Sequence, residues 1–172
     1  VMLGVTAIQP LLTARTDVPA SAFATGTRVE RWRRIVISSV KQCGRATVPE
    51  LRAPESLEAC LRRGHGGMRI MLVEPGGADD ATPADALRGL SEADSAHCWR
   101  DGSSELPSAL RRLSEADSAQ VFVGPEGGWA PAEVSAAREA GCRLVTMGRR
   151  TFRADAAPLI TLSVLQYLWG DL

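Results

Sequence analysis

Three short segments of this chain combine glycine with charged side chains, each directly after an apolar run. They are Glu74-Pro-Gly-Gly77, Gly124-Pro-Glu-Gly-Gly-Trp129 and Gly148-Arg-Arg-Thr-Phe-Arg153. Glycine allows main-chain N–H and C=O groups to approach a ligand closely. The first two segments add a carboxylate and the third adds arginines. Together they could bind a zwitterionic small molecule, with Arg153 facing an anionic or carbonyl-bearing partner.

The second of these segments lies between a strand and a helix. Val121 to Val123 is typical of the end of a buried strand, and Pro131 with the apolar spacing of Val134, Ala137 and Ala140 predicts a helix. The glycines between them lack the Lys-Ser/Thr of a P-loop and the spacing of a dinucleotide fingerprint. A tight turn without a ligand is the alternative interpretation.

The elements that must position these segments follow from the hydrophobic pattern. Strands are predicted from Gly4 to near Pro10 and at 48–51, 69–73, 121–123 and 142–147, and helices at 30–42, 56–63, 132–140 and from Asp155 to about Trp169. Alternating strands and helices predict an α/β fold with a mainly parallel sheet and helices on both faces. In such a sheet the three glycine segments open at the same edge.

Composition excludes several classes of protein. The 172 residues are 45% hydrophobic and carry 20 basic and 20 acidic side chains, so bulk charge does not indicate nucleic-acid binding. No apolar run of the length of a membrane span is present, so no membrane contact is expected. The four cysteines form no CxxC pair, so neither a metal site nor a disulfide framework is predicted.

A duplication marks residues 78–118. Ala86-Leu-Arg-Gly-Leu-Ser-Glu-Ala-Asp-Ser-Ala96 recurs with one change as Ala109-Leu-Arg-Arg-Leu-Ser-Glu-Ala-Asp-Ser-Ala119. Two copies are too few for a solenoid. The segment is predicted to form two short helices, or one helix and a mobile loop, and no chemistry is assigned to it.

Several motifs taken together resemble the RsmE family. The most specific are Gly124-Pro-Glu-Gly-Gly-Trp129 and, at a characteristic distance, Met147-Gly-Arg-Arg-Thr-Phe-Arg-Ala-Asp-Ala-Ala157. The resemblance spans nearly the whole chain apart from the duplicated segment. It extends to Pro10-Leu-Leu-Thr-Ala-Arg-Thr16, Glu30-Arg-Trp32 and Gln42-Cys-Gly-Arg45.

The resemblance implies a SPOUT-type methyltransferase that uses S-adenosylmethionine to methylate N3 of a uridine in small-subunit (16S) ribosomal RNA. It implies a C-terminal trefoil knot, an exception to the rule against knots. It also implies a homodimer that acts on ribosomal RNA or the assembling subunit, in the cytoplasm or an organelle of bacterial origin. Family members carry an N-terminal PUA-like domain. We expect it to be absent here, with residues 1–172 forming the SPOUT domain.

Site residues carry over by position. The resemblance implies a cofactor site in three loops, with chemistry at the third. One departure is notable, because the family commonly has Glu-Thr where this chain has Asp155-Ala156. The implied cofactor-binding residues are Leu72, Glu74, Gly76, Val123, Gly124, Pro125, Gly128, Met147, Gly148, Phe152 and Arg153.

Roles for the polar side chains follow from the chemistry of uridine. N3 carries a proton, so its nucleophilic form is an anion that Arg153 could stabilise through a carbonyl oxygen. Glu126 or Asp155 could accept the proton. Alternatively, Glu126 only orders its loop and Asp155 only caps the following helix. Arg15 and Arg45 are candidates for RNA phosphate contacts, with surface ion pairs as the equal alternative.

Two other functions stay open on the sequence alone. A catalytically impaired, knotted protein that still binds RNA and cofactor is suggested by the Asp155-Ala156 departure. An unrelated nucleotide-binding α/β domain would share the glycine loops without sharing the reaction.

Overall fold

A computed structural model describes residues 1–23, 26–77, 118–147 and 150–169. Its regular elements are seven strands and four α-helices, together with a 3₁₀ turn at Ala20–Phe23. Apart from Ser118, the duplicated segment lies outside the described residues, as do Gly148 and Arg149. The strands are β1 (Ala7–Ile8), β2 (Leu11–Leu12), β3 (Glu50–Leu51), β4 (Glu55–Ser56), β5 (Met68–Leu72), β6 (Ala119–Phe122) and β7 (Arg143–Val145). The helices are α1 (Thr27–Cys43), α2 (Leu57–Arg62), α3 (Pro131–Glu139) and α4 (Ala157–Trp169).

A three-stranded parallel sheet in the order β6-β5-β7 forms the centre of the molecule. Met71 of β5 is in register with Phe122 on one side and with Leu144 on the other. Four of the five β5 residues are buried, as expected for a parallel strand covered on both faces. Since all three strands run in one direction, the loops that follow them meet at one edge of the sheet.

Helices cover both faces of this sheet, which confirms the predicted α/β fold. Side chains alternate along β5. Met71 packs in a cluster with residues of α2 and α3, including Leu57 and Ala137, both fully buried. Ile70 and Leu72 point the other way and pack against Leu165 of α4. No helix in the described ranges has both the length and the apolar character needed to cross a bilayer.

A buried arginine ties the two helices on one face to the sheet. Arg69 of β5 is 9% exposed, and its Nη1 donates to the carbonyl oxygens of Leu61 (3.1 Å) and Ala140 (3.2 Å). These carbonyls lie at the C-terminal ends of α2 and α3, where the helix dipole is negative. The guanidinium is therefore stabilised by helix ends rather than by a carboxylate.

The N-terminal region agrees in part with the predicted strand that ends near Pro10. β1 ends before this proline, which has no N–H to contribute to a ladder. A second short strand, β2, follows it, and each of the two pairs in parallel with a strand from the region after α1: β1 with β3, and β2 with β4. The sequence analysis did not predict β2 as a separate strand, and it missed β4.

Helix boundaries agree with the sequence pattern more closely. Ser56 caps α2, because its Oγ accepts from the N–H of Ala59 at 3.2 Å. Gly44 ends α1 in the left-handed region with φ 69°. α4 begins at Ala157, two residues after the predicted cap at Asp155, and the carbonyl of Arg153 accepts from the N–H groups of Ala156 and Ala157.

The fully buried Leu57 gives a direct test of this core. We expect Leu57→Ala to lower the free energy of unfolding by about 2–5 kcal/mol, because the methyl groups lost leave a cavity among α2, α3 and β5. Ile35→Ala on α1 is the matched control. Its side chain is 53% exposed, so a change within about 0.5 kcal/mol is expected. Urea denaturation of both variants measures the difference, and equal losses would contradict the packing described here.

Candidate active site

A cavity of about 1080 Å³ opens at the carboxyl edge of the central sheet, where the loops after β5, β6 and β7 converge. The sequence predicted this convergence. Its walls combine the glycine loop with apolar residues that include Leu72 of β5, Val134 of α3 and Ala157 of α4. Of the predicted site residues, the cavity is lined by Arg15, Leu72, Glu74, Val123, Gly124, Pro125, Glu126, Gly128, Met147, Phe152 and Arg153.

Trp129 attaches the glycine loop to the central strand. Its indole Nε1 donates to the carbonyl oxygen of Leu72 at 2.7 Å, and the side chain is only 9% exposed. The ring also lies against Gly124, where an added Cβ would come within 3.1 Å of the indole. A side chain at 124 would therefore have to displace the indole by a few tenths of an ångström. The end of β5 and the loop after β6 together form one wall of the cavity.

The loop itself turns sharply between Pro125 and Gly128. The N–H of Gly128 donates to the carbonyl of Pro125 at 2.9 Å, and Gly128 has φ 68°, a conformation that favours glycine. Glu126 at the tip of this turn is exposed and lines the cavity. Its carboxylate is thus available to a ligand rather than buried in the fold.

A buried carboxylate joins this loop to a distant part of the chain. Glu133 is 6% exposed, and its two carboxylate oxygens accept from the N–H groups of Ala130 and Ala14, both at 2.8 Å. The first contact closes the start of α3 in the manner of a capping box. The second holds residues 13–16 against the cavity. The sequence analysis missed this role, although a Glu two residues after Pro131 fits the capping pattern.

Arg15 consequently lies inside the cavity wall. Its Nη1 donates to the carbonyl of Gly127 at 2.8 Å, and its Cβ is 3.2 Å from where a Cβ on Gly127 would stand. The sequence analysis treated Arg15 as a candidate for RNA phosphate contact. The structure brings it to the glycine loop, a proximity that short-range sequence patterns do not reveal because 112 residues separate the two partners.

Arg45, the other candidate RNA contact, is held by the N-terminal segment. Its guanidinium donates to the carbonyl oxygens of Val1 (2.9 Å), Val5 (2.8 Å) and Gly4 (3.4 Å). It does not line the cavity. These contacts give Arg45 a role in holding the chain before β1, and its contact with RNA stays a prediction.

Arg153 and Asp155 form a two-pronged ion pair at the cavity rim. Arg153 donates from Nε to Oδ1 at 3.2 Å and from Nη2 to Oδ2 at 3.3 Å, and the side chains are 83% and 69% exposed. The hydrogen bonds from Arg153 lower the pKa of Asp155 below its ordinary value. A carboxyl with a lowered pKa is a weaker proton acceptor, and Asp155 does not line the cavity.

Two other predicted cofactor-binding residues, Gly76 and Gly148, are not among the described lining residues of the cavity. Gly76 belongs to the loop after β5 but not to the cavity lining, and Gly148 lies outside the described residues. Within the described ranges, no group of three or more His, Cys, Asp or Glu is arranged to hold a metal ion. The chemistry available at this edge is therefore that of glycine-loop main chain, four arginines (Arg15, Arg138, Arg150 and Arg153) and two carboxylates (Glu74 and Glu126).

Comparison with solved structures identifies close fold relatives. A Legionella pneumophila protein solved with the bound cofactor SAM superposes with a TM-score of 0.71 at 28% identity, over 96% of this chain and 57% of that one. A ribosomal RNA small subunit methyltransferase E from Neisseria gonorrhoeae bound to S-adenosylmethionine gives a TM-score of 0.68 at 30% identity, over 98% of this chain and 57% of that one.

Comparison with known sequences finds similar proteins of the same kind. The ribosomal RNA small subunit methyltransferase E of Synechocystis is 30% identical over 168 residues, which cover 96% of this chain and 46% of that protein. The chain thus spans about half the length of the curated relatives it matches. The family model described as RNA methyltransferase domain matches residues 1–166. The predicted resemblance to the RsmE family is confirmed, and the chain belongs to the RNA methyltransferase domain family.

Proposed function

We propose that this chain is the catalytic domain of an S-adenosylmethionine-dependent methyltransferase that modifies N3 of a uridine in small-subunit ribosomal RNA. The observation that carries the proposal is the convergence of both family motifs on one cavity at the carboxyl edge of the parallel sheet. Membership of the RNA methyltransferase domain family supports it, as do two similar structures solved with this cofactor.

The residues present fit such a cofactor. The cavity is near the upper end of the volumes usual for small-molecule sites, and its lining mixes apolar side chains with main-chain groups. At Gly124 a Cβ would fill the space that separates the loop from Trp129. The main chain of the glycine loop, together with Leu72, Met147 and Phe152, would hold the adenosine portion. When bound, S-adenosylmethionine supplies an electrophilic methyl group.

The chain's own polar groups would serve the uridine. Its N3 must lose a proton to become a nucleophile, and the anion spreads onto the neighbouring carbonyl oxygens. Arg153 at the rim can donate to such an oxygen. Glu126 is the better candidate to accept the proton, because it lines the cavity, whereas Asp155 is engaged by Arg153 and has a lowered pKa. Asp155 then orients the guanidinium.

Several broader parts of the proposal follow from the family. We infer a homodimer, an RNA or assembling-subunit partner, and a cytoplasmic location, since the similar named proteins are bacterial ribosomal RNA methyltransferases. The trefoil knot stays a prediction.

Calorimetry with S-adenosylhomocysteine tests the proposal most directly. We expect residues 1–172 to bind this product with micromolar or tighter affinity and ATP much more weakly, because the loop lacks a P-loop lysine. With a net charge of zero, the chain should methylate naked RNA poorly by itself. Binding of ATP but not of S-adenosylhomocysteine would favour an unrelated nucleotide-binding domain. Cofactor binding without methyl transfer to any form of small-subunit RNA would favour the catalytically impaired alternative.

Arg153 separates cofactor binding from chemistry. Arg153→Ala should leave the affinity for S-adenosylhomocysteine within a few-fold and lower turnover by roughly 10²–10³, the usual loss for one transition-state donor. Arg153→Lys should recover only part of the rate, because an ammonium cannot reproduce the planar fork. Asp155→Asn is the matched control: it removes the ion-pair charge but keeps Arg153, so turnover should fall far less. Equal losses of cofactor affinity and turnover in Arg153→Ala would contradict the catalytic role.

Exposed apolar residues on α4 generate the prediction of a dimer. Thr161 and Leu165 are buried against the sheet, each at 4% exposure, while Leu159 (53%), Val164 (36%) and Tyr167 (64%) remain exposed. Such a helix favours a partner that covers its second apolar face. Sedimentation should give a dimer at micromolar concentration, and Leu159→Glu should shift it toward monomer. A wild-type monomer under these conditions would count against the interface.

A further inference from the structure

Two oppositely charged side chains, Arg15 and Glu74, lie next to Gly128 in the lining of the cavity. A Cβ built on Gly128 would lie 3.5 Å from Oε1 of Glu74 and 3.9 Å from Nη1 of Arg15. Oε1 of Glu74 and Nη1 of Arg15 can therefore be no farther apart than the sum of these two distances. Arg15 and Glu74 nevertheless make no ion pair with each other, and neither has an ion-pair partner among the described residues. The two charged groups therefore lie a few ångströms apart without forming an ion pair.

This arrangement selects the charge of its ligand. A phosphodiester would be attracted by Arg15 but repelled by Glu74 at nearly the same distance, whereas a cation would meet the reverse conflict. A zwitterion whose carboxylate and ammonium are borne on one carbon satisfies both side chains at once. Because a Cβ on Gly128 would contact both side chains, one such group could reach both of them with charge-assisted hydrogen bonds.

We propose that Arg15 and Glu74 together bind the amino-acid end of the cofactor, Arg15 through the carboxylate and Glu74 through the ammonium. This inference rests on the proposed function and assigns Arg15 to the cofactor rather than to RNA. A side chain at 128 would lie against both groups, and the φ of 68° there independently favours glycine.

The position of Arg15 is fixed before any ligand binds. Its Nη1 is anchored on the carbonyl of Gly127, and the preceding N–H of Ala14 is held by the buried carboxylate of Glu133. Thr13 and Thr16 close a turn around it, with the N–H of Thr16 donating to the carbonyl of Thr13 at 3.2 Å. Arg15 also lines the cavity, and these contacts reduce the cost of ordering it when a ligand binds.

A comparison of the affinities of four ligands separates the contribution of Arg15 from that of Glu74. The ligands are S-adenosylhomocysteine, its decarboxylated analogue, its deaminated analogue and methylthioadenosine, which lacks the whole tail. We expect Arg15→Gln to weaken S-adenosylhomocysteine and the deaminated analogue by roughly tenfold, and to leave the decarboxylated analogue and methylthioadenosine unchanged. Glu74→Gln should weaken S-adenosylhomocysteine and the decarboxylated analogue and spare the other two. Calorimetry measures all of these affinities without reference to turnover.

Two further variants keep the test decisive. Arg15→Lys retains the charge and should keep much of the discrimination, which a purely structural defect would not restore. Arg150→Gln removes another arginine of the cavity lining and should leave the ranking of the four ligands unchanged. Thermal denaturation checks that each variant is folded.

The outcomes distinguish this inference from the proposed function. If Arg15→Gln weakens all four ligands equally, Arg15 only positions the glycine loop and the inference is overturned. It is also overturned if the variant leaves every affinity intact and instead weakens RNA binding. If the wild-type chain binds neither S-adenosylhomocysteine nor methylthioadenosine, the proposed function itself fails.

Discussion

The hydrogen bond from the indole of Trp129 to the carbonyl of Leu72 is the contact on which the site depends. It connects the end of the central strand to the loop of its neighbour, and it is buried, so water cannot easily replace it. Because the ring also packs on Gly124, one side chain positions the glycine loop relative to the central strand. A loop of this composition without such an anchor would sample many conformations.

A second constraint comes from the opposite end of the chain. Glu133 binds the main chain of Ala14 and Ala130 at once, so the N-terminal segment and the start of α3 share one buried carboxylate. This contact turns residues 13–16 into part of the cavity wall and brings Arg15 to Gly127. The lining of the cavity therefore includes a positively charged side chain, Arg15, that comes from outside the loops after β5, β6 and β7.

The charges around the cavity are arranged for two different tasks. Arg15 and Glu74 lie beside Gly128 in the loops that would hold a cofactor, whereas Arg153 pairs with Asp155 in the third loop. The ion pair keeps Asp155 ionised by lowering its pKa, so its contribution is to orient Arg153. Glu126 is exposed at the tip of the glycine turn and lines the cavity, as the proposed role of proton acceptor requires.

Local patterns in the sequence determined the parallel α/β architecture, the three glycine loops and the edge at which they meet, because side-chain periodicity and chain breaks are short-range properties. They also carried the family motifs from Gly124 to Trp129 and from Met147 onward. The pairing of β1 with β3 and of β2 with β4, the contacts of Arg45 with the first residues and the position of Arg15 beside Gly127 depended on tertiary structure. Each of these is a contact between residues far apart in the chain, and a long-range pairing leaves no periodic trace in either partner's local sequence.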